Sequence, residues 1–329
     1  MAIIDEKGVH RRLKIMLGSE TLADDYIRRY GYTIHIAKVN GLKFAQEYRE
    51  QIRRGPVVPV EAPANDFSDP IFEIQVKCPA CYMTQIPYWD QKARSLASFL
   101  DKFQMPSYKP MGTFRAVDYN LIAVTICPQC LFASPDKKDF ICRDPARNNE
   151  IPPRLHQGDL AQILAAADNR TSIMEESGVD VTTDNLFARE RTPKAAILAY
   201  QLAIERARIE STRNVTFSLF KMGGYSHKQA LIARTYKLEE TPYLEAALEC
   251  YKQSFERSNA PGLQYEGNTL YQIIALNLRL GREADAGTFL AVLEKTKAEA
   301  TSPDTNFTRW YNSTRELWSD RDSDDLWAS

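Results

Sequence analysis

Two short units in this chain have the residue types and spacing to do chemistry: Cys78-Pro79-Ala80-Cys81 and Cys127-Pro128-Gln129-Cys130. Together they supply four soft sulfur donors, the set that a closed tetrahedral Zn²⁺ site uses and that an iron–sulfur cluster also accepts. One C-x-x-C alone is also the frame of a thiol–disulfide redox centre, which needs an exposed, acidified cysteine. Duplication of the unit speaks for metal, so the expected assignment is Cys78, Cys81, Cys127 and Cys130 around one structural Zn²⁺ per chain. The proline after each first cysteine fixes φ and helps to hold the turn. Tyr82 and Leu131 stand where glycine usually follows a knuckle. Each must therefore accept a positive φ or build a different turn.

The other candidate ligands are weaker. Cys142 follows the second knuckle and reads as a small buried hydrophobe, with a spare ligand or a resolving thiol as the alternative. Cys250 flanks an apolar stripe and reads as core. His10, His35, His156 and His227 are scattered and form neither an H-x₃₋₅-H pair nor an H-E-x-x-H motif.

Both knuckles need elements that present their sulfurs. Phe72, Ile74 and Val76 alternate with Glu73, Gln75 and Lys77, the period of a strand that runs straight into Cys78. The apolar run from Leu121 to Ile126 reads as a second strand that runs into Cys127. A strand leading to a knuckle, twice over, is the sequence form of a zinc ribbon. The insert between the knuckles exceeds the usual C-x₂-C-x₁₅₋₂₀-C-x₂-C spacing, but the requirement is spatial. Within it, Asp90 reads as the cap of a helix whose stripe is Ala93, Leu96, Phe99, Leu100 and Phe103, closed by Pro106 and Pro110.

At 329 residues and 44% hydrophobic content, the chain can bury more than one core. The formal net charge of −1 lacks the electrostatic footprint of a dedicated nucleic-acid or membrane-surface protein and points to protein or peptide partners. The first 17 residues are rich in charge and lack the apolar run of a signal peptide. No segment approaches the roughly 20 apolar residues of a membrane span. Cysteines in C-x-x-C units without an export signal read as reduced ligands, so the expected compartment is the cytoplasm.

The expected fold class is α+β, mainly α. Residues 1–55 read as a small α/β unit with a strand over Tyr32 to Ala37 and a helix from Leu42 to Arg54. Its basic residues read as a solvated face rather than a polyanion site. Residues 56–70 are a proline-rich linker. Residues 71–145 form a zinc-ribbon-like segment with its helical insert. Residues 146–191 are a connection, with one helix beginning at Asp159 and a polar run from Asp168 to Arg191.

Residues 192–319 read as antiparallel helix pairs of irregular, tetratricopeptide-like spacing. Thr192-Pro193, Ser226 with Gln229, Thr241-Pro242 and Ser302-Pro303 match helix starts. Gly281 suits the C′ position of a helix over Leu270 to Leu280. Apolar stripes run through Ile197, Tyr200, Ile204 and Ala207, then through Leu244, Ala247, Leu248, Tyr251 and Phe255, and then through Ala286, Phe289, Leu290 and Leu293. A last stripe, Phe307, Trp310, Tyr311, Thr314 and Trp318, reads as core or capping helix rather than ligand pocket. Residues 320–329 are an acidic tail. Its Asp320, Asp322, Asp324 and Asp325 precede Leu326-Trp327, and it reads as a frayed end, with a docking peptide for the helical groove as the alternative.

The strand into Cys78-Pro79-x-Cys81, the long insert, Tyr119, and the strand into Cys127-Pro128-x-Cys130-x-Phe132-Ala133 with Asp139-Phe140 beyond together resemble an uncharacterised bacterial family. It is the domain of unknown function numbered twenty-two twenty-five. The resemblance covers roughly Ile71 to Lys297 and leaves the first 55 residues outside. It implies a four-cysteine zinc-binding segment followed by helices similar to tetratricopeptide repeats, with no established activity. Leu131 departs from the glycine of many members, which removes no ligand.

No P-loop is present, since Gly223-Gly224 lacks the G-x-x-x-x-G-K-[ST] frame, and there is no G-x-S-x-G elbow or dinucleotide fingerprint. The expected function is a non-enzymatic, zinc-binding scaffold or adaptor with a helical interaction surface. Two alternatives are a thiol–disulfide redox protein and a nucleic-acid-binding zinc ribbon.

Overall fold

Short apolar runs bounded by proline and turn residues fold here as two-stranded hairpins, and the longer stripes at 3.6 spacing fold as helices. The computed structural model describes residues 67–144, 146–147, 149–210, 215–257, 263–299 and 305–323. The readings for the first 55 residues, most of the linker, the helix start at Ser302-Pro303 and the end of the tail lie outside them. The described residues are mainly helical, with small strand pairs, an α+β chain that is mainly α.

In chain order the strands are β1 (Ile71–Val76), β2 (Ile86–Gln91), β3 (Leu96–Leu100), β4 (Pro106–Pro110), β5 (Thr125–Ile126), β6 (Ala133–Ser134), β7 (Cys142–Arg143) and β8 (Glu150–Ile151). They pair as β1–β2, β3–β4, β5–β6 and β7–β8. The helices are α1 (Tyr119–Ile122), α2 (Gln157–Ala165), α3 (Ala167–Glu176), α4 (Pro193–Glu210), α5 (Val215–Thr235), α6 (Thr241–Glu256), α7 (Leu263–Arg279), α8 (Glu283–Glu299) and α9 (Thr305–Ser319). None of the described helices is long and apolar enough to cross a membrane.

The chain divides into two compact units. The first gathers residues 73–88 and 124–198 among those described, and so holds both knuckles. The second gathers 67–72, 89–123 and the chain from 199 onward, so the insert between the knuckles belongs to the unit that contains the long helices.

That insert corrects the sequence reading: Leu96–Leu100 and Pro106–Pro110 form an antiparallel hairpin, with Leu96 opposite Pro110 and Leu100 opposite Pro106, where a helix was expected. Asp101 decides it locally. One of its carboxylate oxygens accepts the amides of Phe103 and Met105, both at 2.8 Å, and Gln104 takes φ 60° to close the turn. Prolines at both ends of β4 are tolerated because a two-stranded hairpin has only edge strands. Phe103 and Met105 bury themselves against Tyr271, Ala275 and Leu317 while Phe99 and Leu100 stay exposed, so the apolar spacing reflects a buried turn, not a helix face. The expected strand from Leu121 is likewise shorter. Asp118 caps the helical turn α1 through the amide of Asn120 at 3.0 Å, which leaves only Thr125–Ile126 as strand.

Two more corrections concern helices. The polar run from Asp168, read as connection, lies in α3 as far as Glu176, because Ala167, Arg170, Thr171 and Met174 are buried at helical spacing although two of them are polar. Ser226 and Gln229 lie inside α5, not at a helix start. The starts expected at Thr192-Pro193, Thr241-Pro242 and Asp159 agree to within a residue or two. Thr192 Oγ1 accepts the Ala195 amide at 3.2 Å ahead of α4, and His156 Nδ1 accepts the Gly158 amide at 3.1 Å ahead of α2, whose first turn contains Asp159. Gly281 takes φ 71° after α7, and Arg282 N–H closes on the Asn277 carbonyl at 2.8 Å, as a Schellman end requires.

The helical core forms where the predicted stripes meet. Helix α7 packs against α6, α8 and α9, and α5 packs against α6. Gly223 on α5 faces the Tyr251 ring so closely that an added Cβ would meet it at 3.0 Å. The first glycine of a pair that lacks the phosphate-loop frame therefore serves helix packing.

His227, on α5, is buried edge-on against Phe103 with centroids 5.5 Å apart. Burial, helped by Arg234 and Lys228, holds its pKa down at about 3, so the folded imidazole is neutral. The unfolded histidine takes a proton near its ordinary value of about 6.5, so the unfolded chain binds the extra proton at any pH between the two values. Stability should therefore rise with pH across that window, by up to about 1.4 kcal/mol per pH unit from this group, and be lost as pH falls. Urea midpoints at about pH 5 and about pH 7 should diverge less in His227→Leu than in the parent. Equal divergence would assign the slope to other groups.

Candidate metal centre

The two knuckles are built alike. In the first, the Cys78 amide donates to the Met83 carbonyl at 2.8 Å and the Tyr82 amide to the Cys78 carbonyl at 3.1 Å. In the second, the Cys127 amide donates to the Phe132 carbonyl at 2.8 Å and the Leu131 amide to the Cys127 carbonyl at 2.9 Å. β5 and β6 flank the second knuckle with Ile126 opposite Ala133, so it is the turn of a hairpin. The strand before the first knuckle is tied down at its end, where Lys77 and Ile141 exchange amide hydrogen bonds at 2.9 and 3.0 Å.

Tyr82 and Leu131 resolve the missing-glycine question by adopting φ 59° and 56°. A left-handed non-glycine residue costs roughly 1–2 kcal/mol. Tyr82 is exposed, with the Lys77 ammonium 5.4 Å from its ring centre, whereas Leu131 is fully buried. Tyr82→Gly should therefore be neutral or stabilising by up to about 1 kcal/mol, and Leu131→Gly should destabilise by about 2 kcal/mol or more because lost burial outweighs relieved strain. Chemical denaturation of the two variants checks the contrast. A large loss in Tyr82→Gly would mean that its ring, not its backbone, matters.

This architecture brings Cys78, Cys81, Cys127 and Cys130 together, all buried, with their sulfurs within 4.8 Å of one another. The close approaches run between knuckles: Cys78 to Cys130 at 3.6 Å and Cys81 to Cys127 at 3.4 Å. A Zn–S bond of about 2.3 Å in a regular tetrahedron puts sulfurs about 3.8 Å apart, so the spacing is compatible with a four-sulfur metal site. Cys142 stands apart from this set. Its sulfur donates weakly to the carbonyls of Lys137 and Phe140, at 3.4 and 3.8 Å, and burial pushes its thiol pKa up. Cys250 is half-buried beside Leu219 and Met222.

Burial pushes the Cys78 and Cys127 thiols well above their ordinary range. Hydrogen bonds from Cys127, Cys78 and Cys81 hold Cys130 below it. Four thiolates cannot coexist uncompensated in so dry a place, and a divalent cation is the simplest group that would let all four ionise.

The residues around the cluster are packed as a second layer. Phe132 and Phe140 meet edge-on at 5.2 Å between ring centres, and Tyr88 meets Phe140 at 6.3 Å. The buried Asp139 carboxylate accepts the Ser134 hydroxyl at 2.6 Å. Sequence reasoning missed one close neighbour, Arg170 on α3. It is wholly buried, and its Nε and Nη2 donate to the Cys130 carbonyl at 3.2 and 2.9 Å. The available signal was an arginine at a core position of the spacing Ala167, Arg170, Thr171, Met174. Polarity hid that helix.

Residues 71–320 match the profile of a family described as uncharacterized proteins conserved in bacteria (DUF2225), and the chain belongs to that family. The match begins at β1, includes both knuckles and extends beyond Lys297, where the sequence resemblance stops, to the end of α9. No curated protein and no solved structure matches the chain.

Proposed function

We propose that the chain is a non-enzymatic scaffold in which Cys78, Cys81, Cys127 and Cys130 bind one structural Zn²⁺ and the helices present a tetratricopeptide-like surface to a protein or peptide. The observation that carries the metal part is the mutual approach of four buried sulfurs within 4.8 Å. A centre closed by four sulfurs keeps no open coordination position, which suits a structural rather than a catalytic ion. The thiol-redox alternative is less well supported, because a reactive dithiol needs solvent access and all four of these cysteines are buried. The near-neutral charge balance favours a protein partner over nucleic acid.

Elemental analysis of protein purified under reducing conditions, with thiols counted before and after chelation, tests the reading. The expected result is colourless protein with one zinc per chain and four thiols that become reactive only when the metal is removed. Coloured protein containing iron and sulfide would replace zinc by a cluster. Metal-free protein with a readily oxidised cysteine pair would overturn the scaffold in favour of redox chemistry.

A further inference from the structure

Arg170 is out of place for a bland core residue. A guanidinium stays charged at any accessible pH, and burying one without an anion is costly. Yet Arg170 is completely buried, its Nη1 has no hydrogen-bond partner, and among the described residues it forms no ion pair with a carboxylate. Its two hydrogen bonds go to one neutral acceptor, the Cys130 carbonyl. What adjoins it is the sulfur cluster: the carbonyl that it binds belongs to Cys130, whose sulfur lies 3.6 Å from that of Cys78 within the four-cysteine set.

A tetrathiolate holding a divalent cation bears a net charge of −2, which a dry pocket tolerates poorly unless a cation lies nearby. We propose that Arg170 is the charge partner of the four-cysteine centre, a buried guanidinium that halves the net charge of the metal-loaded site and so slows loss of the metal. This rests on the reading of the cluster as a metal centre. The position fits the role, because α3 delivers the side chain to the backbone of a ligand from outside the C-x-x-C loops, where it adds charge without competing for a coordination position.

The test uses the full chain loaded with Zn²⁺ and two substitutions. Arg170→Gln keeps a donor for the Cys130 carbonyl and removes the charge, whereas Arg170→Lys keeps the charge. The readout is the rate of zinc transfer to a chromophoric chelator, with zinc content and helical circular dichroism measured first. Arg170→Gln should transfer zinc about 10- to 100-fold faster than the parent, and Arg170→Lys within about threefold of it. Equal rates in all three proteins would overturn the proposal. Equal acceleration in both variants would overturn it too, because that pattern assigns Arg170 to fixing the Cys130 carbonyl. If Arg170→Gln does not fold, Arg170→Lys decides alone, and a tenfold or greater acceleration in it counts against charge compensation. A parent protein that retains no zinc would bring down the metal reading itself, a result distinct from each of these.

Discussion

Cys127→Ser should abolish stoichiometric zinc retention and unfold the knuckle segment while leaving most of the helical signal in place. Cys127 is the first cysteine of the second knuckle, it is completely buried, and its sulfur lies 3.4 Å from that of Cys81. A serine hydroxyl is a much poorer soft-metal ligand than a thiolate, and three remaining thiolates would leave the ion under-coordinated. Structural zinc binding is worth roughly 10–16 kcal/mol in small sites, which equals or exceeds the whole stability of a typical domain. The strands around the site are short: β5 and β6 have two residues each and bury little by themselves. The helices from α5 onward have their own clusters, such as Leu244, Leu248, Tyr251, Ile273 and Leu276. Calorimetry should therefore show the loss of one transition, and chelation of the parent should reproduce it. An unchanged thermogram with full zinc content would refute the assignment of Cys127 as ligand.

Phe307→Ala should cost about 3–5 kcal/mol, the range for deleting a large aromatic side chain from a tightly packed core. Phe307 lies on α9 against Leu270, Ile274, Ala286, Leu290 and Leu293, and it is almost wholly buried. Gly267 on α7 has no side chain because there is no room for one: a Cβ there would meet the Phe307 ring at 3.0 Å and Trp310 Cβ at 3.1 Å. The stripe of α9 therefore packs as core, and Trp310 and Trp318 beside it provide a fluorescence probe. Urea unfolding followed by that fluorescence measures the cost. A loss under about 1 kcal/mol would mean that α9 contributes little to the core and that its aromatic stripe is open for another role.

Much of the helical part was legible because its signals are local. A Pro at the first turn of α4, the C′ glycine at Gly281 and stripes such as Leu244, Ala247, Leu248 and Tyr251 each follow from backbone geometry and one apolar face. The insert was misread because i, i+3, i+4 spacing in Leu96 to Phe103 also arises when a hairpin turn buries its tip. The competing signal, Asp101 capping its own turn, is a hydrogen-bond pattern rather than a hydrophobic period. Helix α3 was missed for the opposite reason: two of its buried positions, Arg170 and Thr171, are polar and read as surface.

By itself the sequence singled out the four cysteines that cluster, because residue type and the i, i+3 spacing within each knuckle are properties of a few adjacent residues. It also determined where most of the long helices run. Only the tertiary structure decided that Cys78 meets Cys130 and Cys81 meets Cys127 across more than forty intervening residues, and that a fully buried arginine stands beside them. The reason is physical. Four buried sulfurs and a buried guanidinium share one dry interior, and which chain segments share that interior depends on the packing of the whole unit rather than on any local pattern.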